Sequence, residues 1–320
     1  MPFPSSTPPD PAPLSSEDAD ARRRTSGVIA ALACFAAWGL LPVYWKQLPE
    51  VPAGEMVAHR VLWSLLFVMV LLTHQRGWSG IRLQWSARTL AWAALAGAAI
   101  TVNWGLYIWA VNSGRVVDTS LGYFLMPLVN LLIGLVFFRE RLRPWQWVAV
   151  AVAAAGVSQA LVAQAGMPWV ALGLCSSFGV YGALRKQSHL ESLPGLFLET
   201  LTMAPLALAW LARARLAGTA AFGFHDVHAS AFLMGAGVVT ALPLLWFSHA
   251  ARRLPLSTVG FIQYLSPGLS FVLGTTLYHE PVSATRLVTF ACVWIALAVF
   301  TGEALWRRRK AVAGTVATTP

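Results

Sequence analysis

The 320-residue chain is 57% hydrophobic and only 11% charged, with a mean hydropathy of +0.61. That excludes a water-soluble globular fold, in which about a quarter of residues carry charge. The formal net charge of +10 does not point to nucleic acid, because the basic residues sit in short segments between long apolar runs and so bear on membrane orientation.

Residues 1–25 are rich in Pro, Ser, Asp and Ala, with no apolar core and no cleavage pattern, and are expected to form a disordered cytoplasmic tail. A membrane crossing takes about 20 apolar residues. Ten spans follow, at roughly 26–45, 54–73, 89–111, 117–138, 145–163, 168–185, 194–212, 229–251, 256–278 and 284–305, and 306–320 is a basic tail. Connections are short except 74–88 and 213–228, so no soluble domain is inserted. Cys34, Cys175 and Cys292 all lie in apolar runs and read as small packing residues, without metal-site spacing.

With the amino terminus inside, one side of the membrane collects Arg22–Arg24, Arg76, Arg82, Arg88, Arg139, Arg141, Arg143, Arg185, Lys186, Arg252, Arg253 and Arg307–Lys310. The other side holds Lys46, Arg115, Arg213, Arg215 and Arg286. The positive-inside rule therefore predicts both termini in the cytoplasm.

The fourth and ninth spans share a plan at an offset of 140 residues: Pro127 maps to Pro267, Gly134 to Gly274, Glu140 to Glu280 and Leu125 to Leu265. Trp38-Gly39 to Lys46 echoes Phe178-Gly179 to Lys186 at the same offset. These matches predict an internal duplication into two five-span halves, 26–163 and 168–305. An odd number of spans per half makes equivalent helices cross in opposite directions, which is the inverted-repeat plan of many secondary transporters.

Pro127 and Pro267 each remove a helical N–H and press on the carbonyl four residues back, so kinks are expected in both spans. Irregular backbone at that depth is tolerable where protein or a water-filled cavity covers it. Tyr123, Asn130, Gln263, Tyr264 and Ser270 flank the kinks and become candidate cavity walls; a packing kink satisfied by neighbouring hydroxyls is the alternative. Asn103, Trp104 and Tyr107 add an amide and two aromatic rings in the third span, suited to an aromatic or amphipathic ligand.

Ionisable groups inside spans cost about 2.5–3.5 kcal/mol on insertion scales and mark function or a buried partner. Glu199 is a candidate for proton coupling, or else the partner of a basic or hydroxyl side chain. Glu55 and His59 share a face of the second span, Glu55 being the second coupling candidate. Arg60 either joins a structural ion pair or recognises an anionic substrate group. His249 lies near a cytoplasmic end and is expected to be solvated. Glu140, among Arg139, Arg141 and Arg143, reads as a surface ion pair. His225 and His228 lack a third convincing metal ligand, and no cofactor is expected.

The segments WGLLPVYWK (38–46), EMVAHRVLWS (55–64), NWGLYIWAVNSGRVVDTSLGYFLMPL (103–128), YGALRK (181–186) and GFIQYLSPGLSF (260–271) resemble the RarD branch of the EamA-type drug/metabolite transporter superfamily. The resemblance covers about 25–305. It implies an all-α polytopic protein of the bacterial inner membrane, with ten transmembrane helices in two inverted EamA-type repeats around a central cavity. It also implies movement of small metabolites, amino acids or amphipathic compounds. A monomer or homodimer is expected. Nucleotide-binding loops and hydrolase motifs are missing from the sequence, so neither ATP drive nor an enzyme is expected. A non-transporting membrane sensor or scaffold is the competing expectation. Partners are a small-molecule substrate and membrane lipid, not nucleic acid.

Overall fold

The computed structural model describes residues 16–79, 81, 85–113, 115–162, 167–223, 226–279 and 284–316, and every regular element among them is helical. In chain order these are α1 Ser16–Trp45, α2 Ala53–His74, α3 Ala87–Asn112, α4 Val116–Phe137, α5 Pro144–Val162, α6 Trp169–Gln187, α7 Ser192–Leu216, α8 Val227–Arg253, α9 Leu256–Gln263, α10 Leu265–Thr276 and α11 Ala284–Val316. Nine stretches among the described residues are long and apolar enough to cross a membrane, counting α9 with α10 as one. A helix is the natural solution there, because it satisfies each backbone N–H and C=O within its own segment.

Four elements depart from the sequence expectations. The first helix starts at Ser16, within the stretch expected to be disordered, and the last runs on to Val316. The span expected at 168–185 forms as α6 but falls short of the apolarity of the others, because its end carries Arg185 and Lys186. The span expected at 256–278 is interrupted at Tyr264, between α9 and α10. Pro267 explains that break: it offers no N–H to the Gln263 carbonyl, and its ring crowds that carbonyl. The chain tightens around it, with Tyr264 N–H donating to Phe261 O at 3.3 Å. Pro127, by contrast, lies within an unbroken α4.

The main helix contacts are α2 with α7 and α8, α1 with α8 and α10, α3 with α6 and α7, α4 with α6 and α9, and α5 with α11. Exchanging each helix for the one five spans away returns the same set. The offset of 140 reappears at single residues. Arg139 and His279 both adopt left-handed backbone, at φ 52° and 51°. Lys186 lies over the Phe138 ring and Lys46 over the Tyr278 ring. Trp38 and Phe178 meet edge to face, 5.5 Å between centroids.

Successive spans alternate in direction, which gives the bundle two ends. One carries Lys46 and Tyr278, the other Glu140 and Lys186. Phe35, Trp38, Phe178, Tyr181 and Phe247 form a ring cluster between them.

Candidate functional site

A cavity of about 330 Å³ opens between α1, α2, α3, α4, α6, α9, α10 and α11. That volume falls at the lower end for small-molecule sites. Phe35, Trp38 and Phe178 line one part of it, while Lys46 and Tyr278 line another. Of the expected substrate-binding residues, Arg60, Asn103, Trp104, Tyr107, Tyr123, Gln263 and Ser270 line the cavity, as does Pro267.

Arg60 is the buried cation of this site, 6% exposed. Its Nε donates to Thr240 Oγ1 at 3.1 Å. The guanidinium carbon lies 3.9 Å from the Trp104 ring centroid and 4.9 Å from that of Trp45. Such cation–ring contacts are worth up to about 2 kcal/mol when desolvated, which offsets part of the cost of burying the charge. Tyr107 and Tyr123 meet edge-on at 5.6 Å beside it.

The remaining lining side chains are braced from behind. Asn103 Nδ2 donates to Leu174 O at 2.8 Å and to Ser177 Oγ at 3.0 Å, tying α3 to α6. Ser270 Oγ donates to Gly39 O at 3.0 Å, tying α10 to α1. Gln263 Oε1 accepts from Asn130 Nδ2 at 2.7 Å.

Two expected residues stand behind the walls rather than in them. Asn130 is fully buried and hydrogen-bonds the lining residue Gln263 from behind. The Tyr264 hydroxyl donates to Phe124 O at 3.4 Å within a core cluster. Pro127 presents its carbonyl to the close approach of Gly260, where a Cβ would stand only 2.7 Å away.

The two candidate coupling acids, Glu199 and Glu55, are held by protein and lie outside the lining. Glu199 Oε1 accepts from Arg185 Nη1 at 2.9 Å, and Oε2 from the Tyr181 hydroxyl at 3.3 Å. Ser248 Oγ receives Arg185 Nε at 2.9 Å and also contacts Nη2. Glu55, 1% exposed, accepts the backbone N–H groups of Ala221 and Phe222 at 2.9 and 3.0 Å, and so pins the segment before α8 to α2. Trp63 Nε1 donates to His59 Nδ1, which leaves the imidazole proton on Nε2, 3.7 Å from Glu55. His249 is half-buried against Ser26.

Glu140 is more than a surface pair. It accepts Leu256 N–H at 2.7 Å, Ser257 N–H at 2.9 Å and Ser257 Oγ at 2.7 Å, and Lys186 stands 3.3 Å away. Burial pushes its pKa up, but these donors and the lysine outweigh it and hold the carboxyl below its ordinary value. Its sequence counterpart Glu280, together with His225 and the Asn112 side chain, lies outside the described residues.

Sequence reasoning passed over Trp45, Lys46, Ser266 and Tyr278 as lining residues. Lys46 was read for orientation and, through its match to Lys186, for the duplication, but not as a wall of a cavity. Thr240, which fixes Arg60, gave no signal, because nothing in the sequence places its hydroxyl opposite residue 60.

The EamA-like transporter family matches residues 25–161. Protein RarD of Salmonella typhi is 42% identical over 292 residues, covering 91% of this chain and 99% of the relative. The uncharacterized transporter YojE of Bacillus subtilis is 41% identical over 88% of this chain and 96% of its own length. The chloramphenicol-sensitive protein RarD of Pseudomonas aeruginosa is 33% identical over 85% of this chain and 92% of the relative. A solved protein crystal structure shares the fold at TM-score 0.66 and 16% identity, covering 86% of this chain and 97% of that one.

Proposed function

Because the chain belongs to the RarD branch of the EamA-like transporters, we propose that it is a secondary active transporter working by alternating access around the Arg60 cavity. The substrates are small metabolites, amino acids or amphipathic compounds. The protein sits in the bacterial inner membrane as two inverted halves, 26–163 and 168–305, with both termini in the cytoplasm. The basic residues then put Lys46 and Tyr278 outside and Glu140 and Lys186 inside.

The observation that carries this reading is the placement of the cavity. Its walls come from both halves, it reaches Lys46 and Tyr278 at one end, and packed rings close it towards Glu140. A substrate site between repeats, with a broken helix in its wall, is what rocking of one half against the other requires. The offset of 140 residues gives the opposite state a natural form, in which the paired clamps Lys46–Tyr278 and Lys186–Phe138 exchange roles.

Proton coupling would run through an acid within a span, and Glu199 and Glu55 are the candidates. A proton arriving at either would weaken the hydrogen bonds the carboxylate now accepts, from Arg185 and Tyr181 in one case and from backbone N–H groups in the other.

Counterflow in proteoliposomes tests the reading. The panel comprises amino acids, purine metabolites, aromatic compounds and chloramphenicol, the last because it figures in a relative's name. Saturable, protein-dependent movement of at least one member supports transport, and an imposed pH gradient separates proton coupling from facilitation. A panel with no protein-dependent movement favours a sensor or scaffold.

A further inference from the structure

Among the described residues two arginines, Arg60 and Arg185, are buried, in very different settings. Arg185 has its arms answered: Glu199 and Ser248 take three of its hydrogen bonds, and the Glu191 and Ser192 carbonyls take two more. Arg60 is answered only at Nε, by the neutral Thr240 hydroxyl. Among the described residues no carboxylate stands within ion-pair distance of it, and Nη1 and Nη2 have no protein acceptor. Its tryptophan neighbours attract the charge but accept no N–H in the guanidinium plane.

A guanidinium with an open two-nitrogen edge has the geometry of a carboxylate receptor, because its parallel N–H bonds match two oxygens. Burial strengthens the attraction, and an ion removed from water and left unpaired is a strained arrangement that an incoming anion relieves. The rest of the lining agrees in sign. Its charged members among the described residues are Arg60 and Lys46. Lys46, over the Tyr278 ring at the Lys46 end, adds an attractive field for anions. An ammonium group would meet two cations there and no described acid.

We propose that the ligand of this cavity is an organic monoanion. Its carboxylate sits on the Nη1–Nη2 edge of Arg60, and its aromatic or short aliphatic body lies against Trp38, Trp104 and Tyr107. The assignment rests on the cavity being the transport site and narrows its substrate class. Simple carboxylates are preferred over zwitterionic amino acids, and amines are excluded.

Purified protein in nanodiscs tests this without any flux measurement. Thermal stabilisation and calorimetric titration are recorded with phenylacetate, indole-3-acetate and hexanoate, and with phenylacetamide, phenethylamine and phenylalanine as neutral, cationic and zwitterionic counterparts. The expected result is saturable stabilisation by the carboxylates and at least tenfold weaker binding of the counterparts. Arg60→Gln should lose binding on the order of 10–100-fold, with Arg60→Lys intermediate. Should Arg60→Gln fail to fold, the comparison of phenylacetate with phenylacetamide on the unaltered protein still decides. Equal binding of acid and amide, undiminished binding by Arg60→Gln, or silence from every carboxylate would overturn the proposal. Counterflow of a neutral or cationic solute that carboxylates do not compete would overturn it while leaving transport standing. Carboxylate binding without counterflow would do the reverse.

Discussion

The Arg185 guanidinium and the Glu199 carboxylate meet at 2.9 Å, each side chain 2% exposed. They join α6 to α7 behind the ring cluster, with Tyr181 and Ser248 completing the network. Removing one member of such a pair leaves an uncompensated buried charge, which costs about 3–5 kcal/mol. Glu199→Leu should therefore lower thermal stability in detergent strongly, and the double variant Arg185→Met/Glu199→Leu should recover most of the loss. Glu199→Gln also reports on coupling. Flux in that variant that no longer follows an imposed pH gradient assigns the coupling proton to Glu199. Flux that still follows it confines Glu199 to holding Arg185.

Glu140 makes a prediction about pH. Its carboxyl is held below the ordinary value of 4.5 by the Ser257 and Leu256 donors and by Lys186, against the opposing effect of burial. A depressed carboxylate contributes stability above its unfolded-state pKa and loses it as pH falls through the lowered native one. Glu140→Gln should cost about 1.5–3 kcal/mol near neutral pH, as hydrogen bonds to a charged acceptor do. Unfolding curves of the two proteins should stay separated from pH 8 down to roughly pH 5 and converge only below about pH 4.

Gly260 is set by the approach of α9 to α4. A Cβ there would stand 2.7 Å from the Pro127 carbonyl, and backbone cannot swing aside as a flexible side chain can. Gly260→Ala should destabilise by about 1–3 kcal/mol, and Gly260→Leu by more. Gly302, where a Cβ meets nothing within 4 Å, supplies the control, and Gly302→Ala should leave the unfolding midpoint close to that of the parent.

The parts of this fold that could be read from sequence are those that backbone chemistry stamps on a residue. Apolar runs gave the spans, since a helix in lipid has no alternative. Pro127, Pro267 and Glu140 gave the offset that the helix contacts and the paired left-handed residues Arg139 and His279 follow. Tyr264 was harder: both spans contain the proline, yet only the second is interrupted there.

Side-chain partnerships were not readable. Glu199 promised a basic or hydroxyl partner and has both, but Arg185 was counted as a loop cation when it is fully buried in α6. These helices are apolar on nearly every face, so hydrophobic periodicity does not say which face turns inward. That is why Asn130 and Tyr264, at the expected depth, stand behind the cavity wall while Arg60, Tyr107 and Gln263 reach it.

Alternating access is the central claim, and accessibility of the cavity from each side tests it most directly. Ser266, a lining residue of α10, would be changed to cysteine in a background with Cys34, Cys175 and Cys292 replaced by alanine. Labelling by a membrane-impermeant thiol reagent would then be followed in right-side-out and inside-out vesicles. The account predicts labelling from both sides, with a binding solute shifting the balance between them. Labelling confined to one side under every condition, solute included, would contradict it.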